Sequence, residues 1–111
     1  MQTELQALID QRLQVDRSQI VEFCDRWKIT EFALFGSVLR DDFRPDSDID
    51  VLVTFAPNSR WSLLNWVDMK AELEAMFKRE VDIVEKKGLT NPYRRYEILK
   101  THQVVYTSEQ P

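Results

Sequence analysis

Ile49, Val51, Val53 and Phe55 alternate with Asp48, Asp50, Leu52 and Thr54. This period of two gives a β-strand one fully apolar face. Such a strand has to enter a core, yet it starts with a carboxylate on each side of its first isoleucine. Residues two apart on a strand share a face, with Cα atoms roughly 6–7 Å apart. Asp48 and Asp50 therefore project together while Ile49 anchors the opposite side. Two carboxylates about 5 Å apart at an effective dielectric near 20 repel by about 3 kcal/mol. A hard cation between them turns that cost into a binding site, and an all-oxygen donor set suits Mg²⁺. Alone, the Asp-x-Asp reads first as a solvated strand end. A calcium loop over Asp46, Asp48 and Asp50 is excluded, because Val51 stands where the turn glycine belongs and Pro57 where the bidentate glutamate belongs.

The rest of the chain sets the frame for that strand. Its 111 residues, 43% hydrophobic and 31% charged, fit one domain spanning 1–111 with a single core. A net charge of −4 argues against a non-specific nucleic-acid binder, which needs a basic footprint. No apolar run reaches the roughly 20 residues of a membrane span. The polar, amphipathic start "MQTELQALIDQR" points to a cytoplasmic protein. Cys24, the single cysteine, falls in a helical pattern with Ile20, Phe23 and Trp27 and reads as a buried thiol. With His102 as the lone histidine, no zinc site of the usual kind can form.

Periodicity predicts an extra N-terminal helix within residues 1–16, over about 3 to 14, from Leu5, Leu8, Ile9 and Leu13. Asp16 with Gln19 three residues later opens a second helix to about Lys28. "TEFALF" is a strand ending at Gly36, followed by a helical turn over 37–40 and an irregular acidic loop containing Pro45. Ser59 is the expected cap of a helix whose stripe of Leu63, Trp66, Val67, Met69, Leu73, Met76 and Phe77 is expected to be core. Val81–Val84 reads as a third strand, Asn91-Pro92 opens a last helix through about Lys100, and Val104–Tyr106 adds an edge strand. The alternation predicts an α/β (α+β) fold: a small mixed sheet of three to four strands flanked by helices.

Gly36 is one of two glycines, and it lies between a strand and a helical turn. A glycine there lets backbone N–H groups approach an anion, and Ser37 can add its hydroxyl. The pair is neither a Walker loop, which needs a lysine, nor a nucleophile elbow. Asp82 stands alone among apolar residues in "VDIV". Its plain reading is an edge aspartate facing water. If its strand lies beside the one carrying Asp48 and Asp50, three carboxylates converge, enough to hold two Mg²⁺ about 3.5–4 Å apart. The basic pairs Lys78-Arg79, Lys86-Lys87 and Arg94-Arg95 read as solvated surface, unless the fold brings one to a phosphate.

Gly36-Ser37, ten intervening residues, then Asp48-Ile49-Asp50 and a later strand aspartate resembles the signature of DNA-polymerase-beta-type nucleotidyltransferases. "FGSVLR", "SDIDVLV" and "VDIV" resemble its minimal members, the MNT antitoxins paired with HEPN-domain toxins, over roughly residues 18 to 106. The resemblance implies that Asp48 and Asp50 bind two Mg²⁺ ions. It implies that Asp82 binds one and orients or deprotonates the acceptor. Gly36, Ser37 and, more weakly, Arg40 would hold the phosphates of ATP. The implied reaction moves AMP to a tyrosine hydroxyl of a HEPN RNase toxin, releasing pyrophosphate. The implied partner is that toxin in a hetero-oligomer, with no direct nucleic-acid contact and no membrane. Two other readings stay open: an antitoxin that acts by occlusion alone, and a small-molecule nucleotidyltransferase completed by a separate helical subunit.

Overall fold

In the computed structural model, residues 4–108 are described. Helix α1 spans Glu4–Leu13, so the expected start at residue 3 lies outside the described residues. Helix α2, Arg17–Arg26, follows a turn in which the Asp16 amide donates to Gln19 Oε1 at 3.2 Å, as the Asp-x-x-Gln spacing predicts. Strand β1 is Ile29–Phe35, and a short 3₁₀ turn, Gly36–Leu39, stands where the sequence predicts a helical turn. Strand β2, Ile49–Phe55, leads into helix α3, Leu63–Phe77. Strand β3, Val81–Glu85, helix α4, Pro92–Leu99, and strand β4, Gln103–Thr107, complete the described chain.

The cap of α3 is Ser62 and not Ser59. The Asn65 amide donates to Ser62 Oγ at 3.1 Å, and the Ser62 amide to Asn65 Oδ1 at 2.9 Å. Ser59 is held instead in the preceding turn, its amide donating to the Ala56 carbonyl at 3.2 Å. The start of α4 follows expectation, since Asn91 Oδ1 accepts from the amides of Tyr93 and Arg94 at 3.0 and 3.1 Å.

The strands form one sheet in the order β3-β2-β1-β4. β1 pairs antiparallel with both β2 and β4, while β2 and β3 run parallel, joined across α3. Alternation sorts the side chains. Phe32, Leu34, Val51 and Val53 face a large core with Ile9 and Leu13 of α1, Ile20, Phe23 and Cys24 of α2, and Met69, Leu73 and Phe77 of α3. Ala33, Phe35 and Leu52 face a smaller core closed by Leu89 and by Ile98 of α4. Burial pushes the Cys24 thiol up to about 12, with Asp25 adding to the effect, which suits an inert core residue.

Two of the seven residues of the expected α3 core stripe, Leu63 and Val67, are corrected. Leu63 is 81% exposed and Val67 55%, against full burial of Met69 and Leu73. Val67 sits two positions before Met69, about 200° round the helix, so the sheet cannot reach both.

Candidate active site

β2 begins at Ile49, buried in the large core, so the flanking aspartates fall on the α4 face. Because β2 and β3 run parallel from the same end, Asp50 pairs in register with Asp82. On its other side Asp50 pairs with Phe35, the last residue of β1. Gly36 comes next, at φ +78°, a conformation that L side chains rarely adopt. A Cβ there would overlap Asp50 Oδ2 and lie 3.2 Å from its Cγ. The glycine and the Asp-x-Asp strand are thus one steric unit: the turn passes the carboxylate where only a hydrogen fits.

Asp50 is half-buried, and Asp48 and Asp82 are exposed. The Asp50 carboxyl is raised above its ordinary value, by burial first, then by the negative charges of Asp82 and Asp48. Arg40 and Arg94 pull it back. Ser37 Oγ donates to the Asp48 carbonyl at 3.4 Å, tying the turn to the residue before β2. Arg40 Nε lies 3.2 Å from Asp42 Oδ1.

A cavity of about 600 Å³ opens on this end of the sheet, within the range of small-molecule sites. Phe35, Gly36, Leu39, Arg40 and Asp50 line one wall, and Arg94, Glu97 and Ile98 of α4, Thr101 just after it and Gln103 of β4 line the other. Of the residues singled out by sequence, Gly36, Arg40 and Asp50 line the cavity. Ser37, Asp48 and Asp82 stand beside it along the sheet edge.

Sequence alone does not separate Arg94 from its basic pair. The Arg94-Arg95 signal is there, but only the α4 register shows which member faces the cavity. Arg95 turns away, its Nη1 donating to the Lys86 carbonyl at 3.3 Å. Glu97, Thr101 and Gln103 carry no local signal.

The three aspartates are neighbours and not a closed cage. Among the described residues no three acidic, histidine or cysteine side chains form a ready cluster for an ion. The donor set still fits Mg²⁺, which is commonly held by one or two carboxylates together with substrate phosphates and water. The raised Asp50 carboxyl marks the electrostatic demand that a cation between these groups would meet.

A family model described as Nucleotidyltransferase domain matches residues 17–105, which takes in this whole edge and leaves out α1. The protein adenylyltransferase MntA of Thermococcus cleftensis is 37% identical over 68 residues, 61% of this chain and 67% of that protein. A solved structure provisionally described as a minimal nucleotidyltransferase superposes with a TM-score of 0.66 at 33% identity, covering 86% of this chain and 93% of its own. A structure of a tri-AMPylated Shewanella oneidensis HEPN toxin in complex with an MNT antitoxin gives 0.60 at 18% identity, over 85% and 71% of the two chains, a likeness of fold alone. The chain belongs to the nucleotidyltransferase domain family, with MntA-type protein adenylyltransferases among its relatives.

Proposed function

We propose that the chain is an antitoxin that transfers AMP from ATP to a tyrosine hydroxyl of a HEPN-type toxin, with Mg²⁺, and that the two proteins form a hetero-oligomer. The observation that carries this reading is the in-register pairing of Asp50 with Asp82 next to a glycine that yields to the Asp50 carboxylate. The names of the relatives supply the acceptor class: MntA is a protein adenylyltransferase, and the MNT antitoxin is seen with an AMPylated HEPN toxin.

Gly36 and Ser37 receive the β- and γ-phosphates, where the open turn lets backbone N–H groups and the Ser37 hydroxyl approach. Arg40 and Arg94 flank the cavity from opposite walls and balance phosphate charge. Asp82 orients the tyrosine hydroxyl and takes its proton. The phenolic oxygen bonds to the α-phosphorus while the bond from that phosphorus to the bridging oxygen breaks, and pyrophosphate leaves with that electron pair. Asp48, Asp50 and Asp82 would hold Mg²⁺, which neutralises phosphate charge and relieves the repulsion among the carboxylates. Positioning and charge complementarity supply most of the acceleration.

The test is intact mass spectrometry of the cognate toxin after incubation with this protein, Mg²⁺ and ATP. The expected result is a gain of one or more AMP units on a tyrosine. Asp82→Asn is expected to lose nearly all transfer while still binding Mg²⁺–ATP through Asp48, Asp50, Gly36 and Ser37. Full activity in that variant would refute the role given to Asp82. A second reading, neutralisation by occlusion, is favoured by the exposed apolar row of Leu63, Leu64 and Val67 on α3. An inhibited but unmodified toxin in a stoichiometric complex would select it.

A further inference from the structure

Helix α1 lies outside the residues matched to the family, yet its last turn reaches the site. Arg12 Nη1 donates to the carbonyls of Val38 and Arg40, each at 2.7 Å, and so grips the end of the phosphate-binding turn. From the turn before β3, Arg79 Nη1 donates to the carbonyls of Arg44, Pro45 and Ser47 at 2.8, 3.0 and 3.0 Å. Both guanidinium groups stack on the Phe43 ring, their Cζ atoms 5.1 Å (Arg12) and 4.3 Å (Arg79) from its centroid. Neither arginine pairs with Asp41, Asp42, Asp46 or Asp48, acidic as that segment is. Their charges go to backbone carbonyls, and carbonyls hold a direction only where the backbone is fixed.

The held segment, 40–48, has no helix or strand of its own and links the Gly-Ser turn to Asp48. Its last residues are fixed from several sides. Arg79 takes the Ser47 carbonyl, Ser37 donates to the Asp48 carbonyl, and the Ile49 amide donates to the Glu80 carbonyl at 2.9 Å.

We propose that Arg12, Phe43 and Arg79 form a clamp that sets the 40–48 segment in its ligand-ready shape, with Arg12 and Arg79 as positioning residues for Asp48. For its ligand this inference rests on the nucleotidyltransferase reading above. A segment fixed on folding does not have to be ordered when nucleotide binds, so the entropy of ordering does not weaken affinity. The added helix α1 thereby acquires a part in the site, which it braces through one side chain.

Two measurements test it on the full chain. Hydrogen exchange of the nucleotide-free protein is followed for wild type, Arg12→Ala, Arg12→Lys, Arg79→Ala and Phe43→Leu. Calorimetry then measures binding of Mg²⁺ with α,β-methylene-ATP. Arg12→Ala and Arg79→Ala are expected to speed exchange of the amides of 41–44 and 46–48 by about tenfold or more, the scale of one lost charged hydrogen bond, with β1 and β2 unchanged. Affinity for the analogue falls by about tenfold. In turnover KM for ATP rises while kcat at saturation changes little. Arg12→Lys, which keeps a cationic donor, recovers part of each effect, and Phe43→Leu loosens the segment with both arginines in place. Unchanged segment exchange overturns the clamp, as does a loosened segment that binds the analogue as tightly as wild type. If wild type itself binds no analogue while its segment is protected, the nucleotidyltransferase reading fails and takes the positioning role with it. If wild type binds and all four variants match it, the clamp alone is refuted.

Discussion

Neutralising Asp50 is expected to make the metal-free protein more stable. Asp50 faces Asp82 across adjacent strands, which lie about 4.8 Å apart, and Asp48 is two residues away on the same face. Charges about 5 Å apart at an effective dielectric near 20 repel by about 3 kcal/mol. Arg40 and Arg94 offset part of this. Exposure of Asp48 and Asp82 screens more, leaving about 1–2 kcal/mol. For a domain of this size that is a rise in Tm of about 4–8 °C for Asp50→Asn in EDTA at pH 7. The sign has a pH signature. The folded-state pKa of Asp50 lies above the ordinary 3.8, so its contribution to stability is fully present below that value and is lost as pH rises through the folded pKa. The Tm advantage of Asp50→Asn is therefore small near pH 3.5 and complete at neutral pH. Mg²⁺–ATP, which stabilises wild type by binding the folded state, is expected to stabilise the variant much less. Thermal melts in EDTA across pH, repeated with Mg²⁺–ATP at neutral pH, decide the matter. A variant less stable than wild type at pH 7, or an advantage independent of pH, would refute the electrostatic argument.

Three further outcomes follow from the geometry. Gly36→Ala places a methyl group on Asp50 Oδ2 at a positive φ; it is expected to cost about 1–2 kcal/mol in urea unfolding and to abolish transfer, and full activity would show that the carboxylate need not sit there. Ser62→Ala loses the α3 cap and about 1 kcal/mol, whereas Ser59→Ala stays within about 0.5 kcal/mol, a contrast that denaturant midpoints resolve. Arg94→Ala weakens Mg²⁺–ATP binding by about tenfold or more while Arg95→Ala leaves it nearly unchanged; equal effects by calorimetry would remove Arg94 from the site.

The parts of the fold legible in the sequence are those whose signal is local. The alternation from Ile49 to Phe55 gives β2 and the side of the sheet its aspartates take, and Asn91-Pro92 marks α4 at its true start. Gly36-Ser37 and the three aspartates can be named because each motif sits at a strand end, where strand period dictates direction. Ser59 and Ser62 are both plausible caps three residues apart, and only the turn at Pro57-Asn58 decides between them. Leu63 and Val67 look like core because apolar composition on α3 exceeds the arc that the sheet covers. Arg12 and Arg79 reach their carbonyls across the fold, so no window on the sequence contains both ends of the contact. Arg94 is a case between, visible as charge and invisible as direction.

The single parallel pairing in the sheet carries a consequence for the order of folding. Phe35 and Asp50 belong to neighbouring antiparallel strands joined by residues 36–48, whereas Asp50 and Asp82 meet only after α3 has docked and the longer crossover has closed. Long-range parallel pairing forms late, because loop closure costs entropy before contacts repay it. The repulsion between the two aspartates is therefore absent from an early β1–β2 nucleus and arises as β3 joins. Its removal in Asp50→Asn appears chiefly as slower unfolding, with the refolding rate nearly unchanged. The half of the site that makes room for the carboxylate assembles first, and the half that opposes it arrives last.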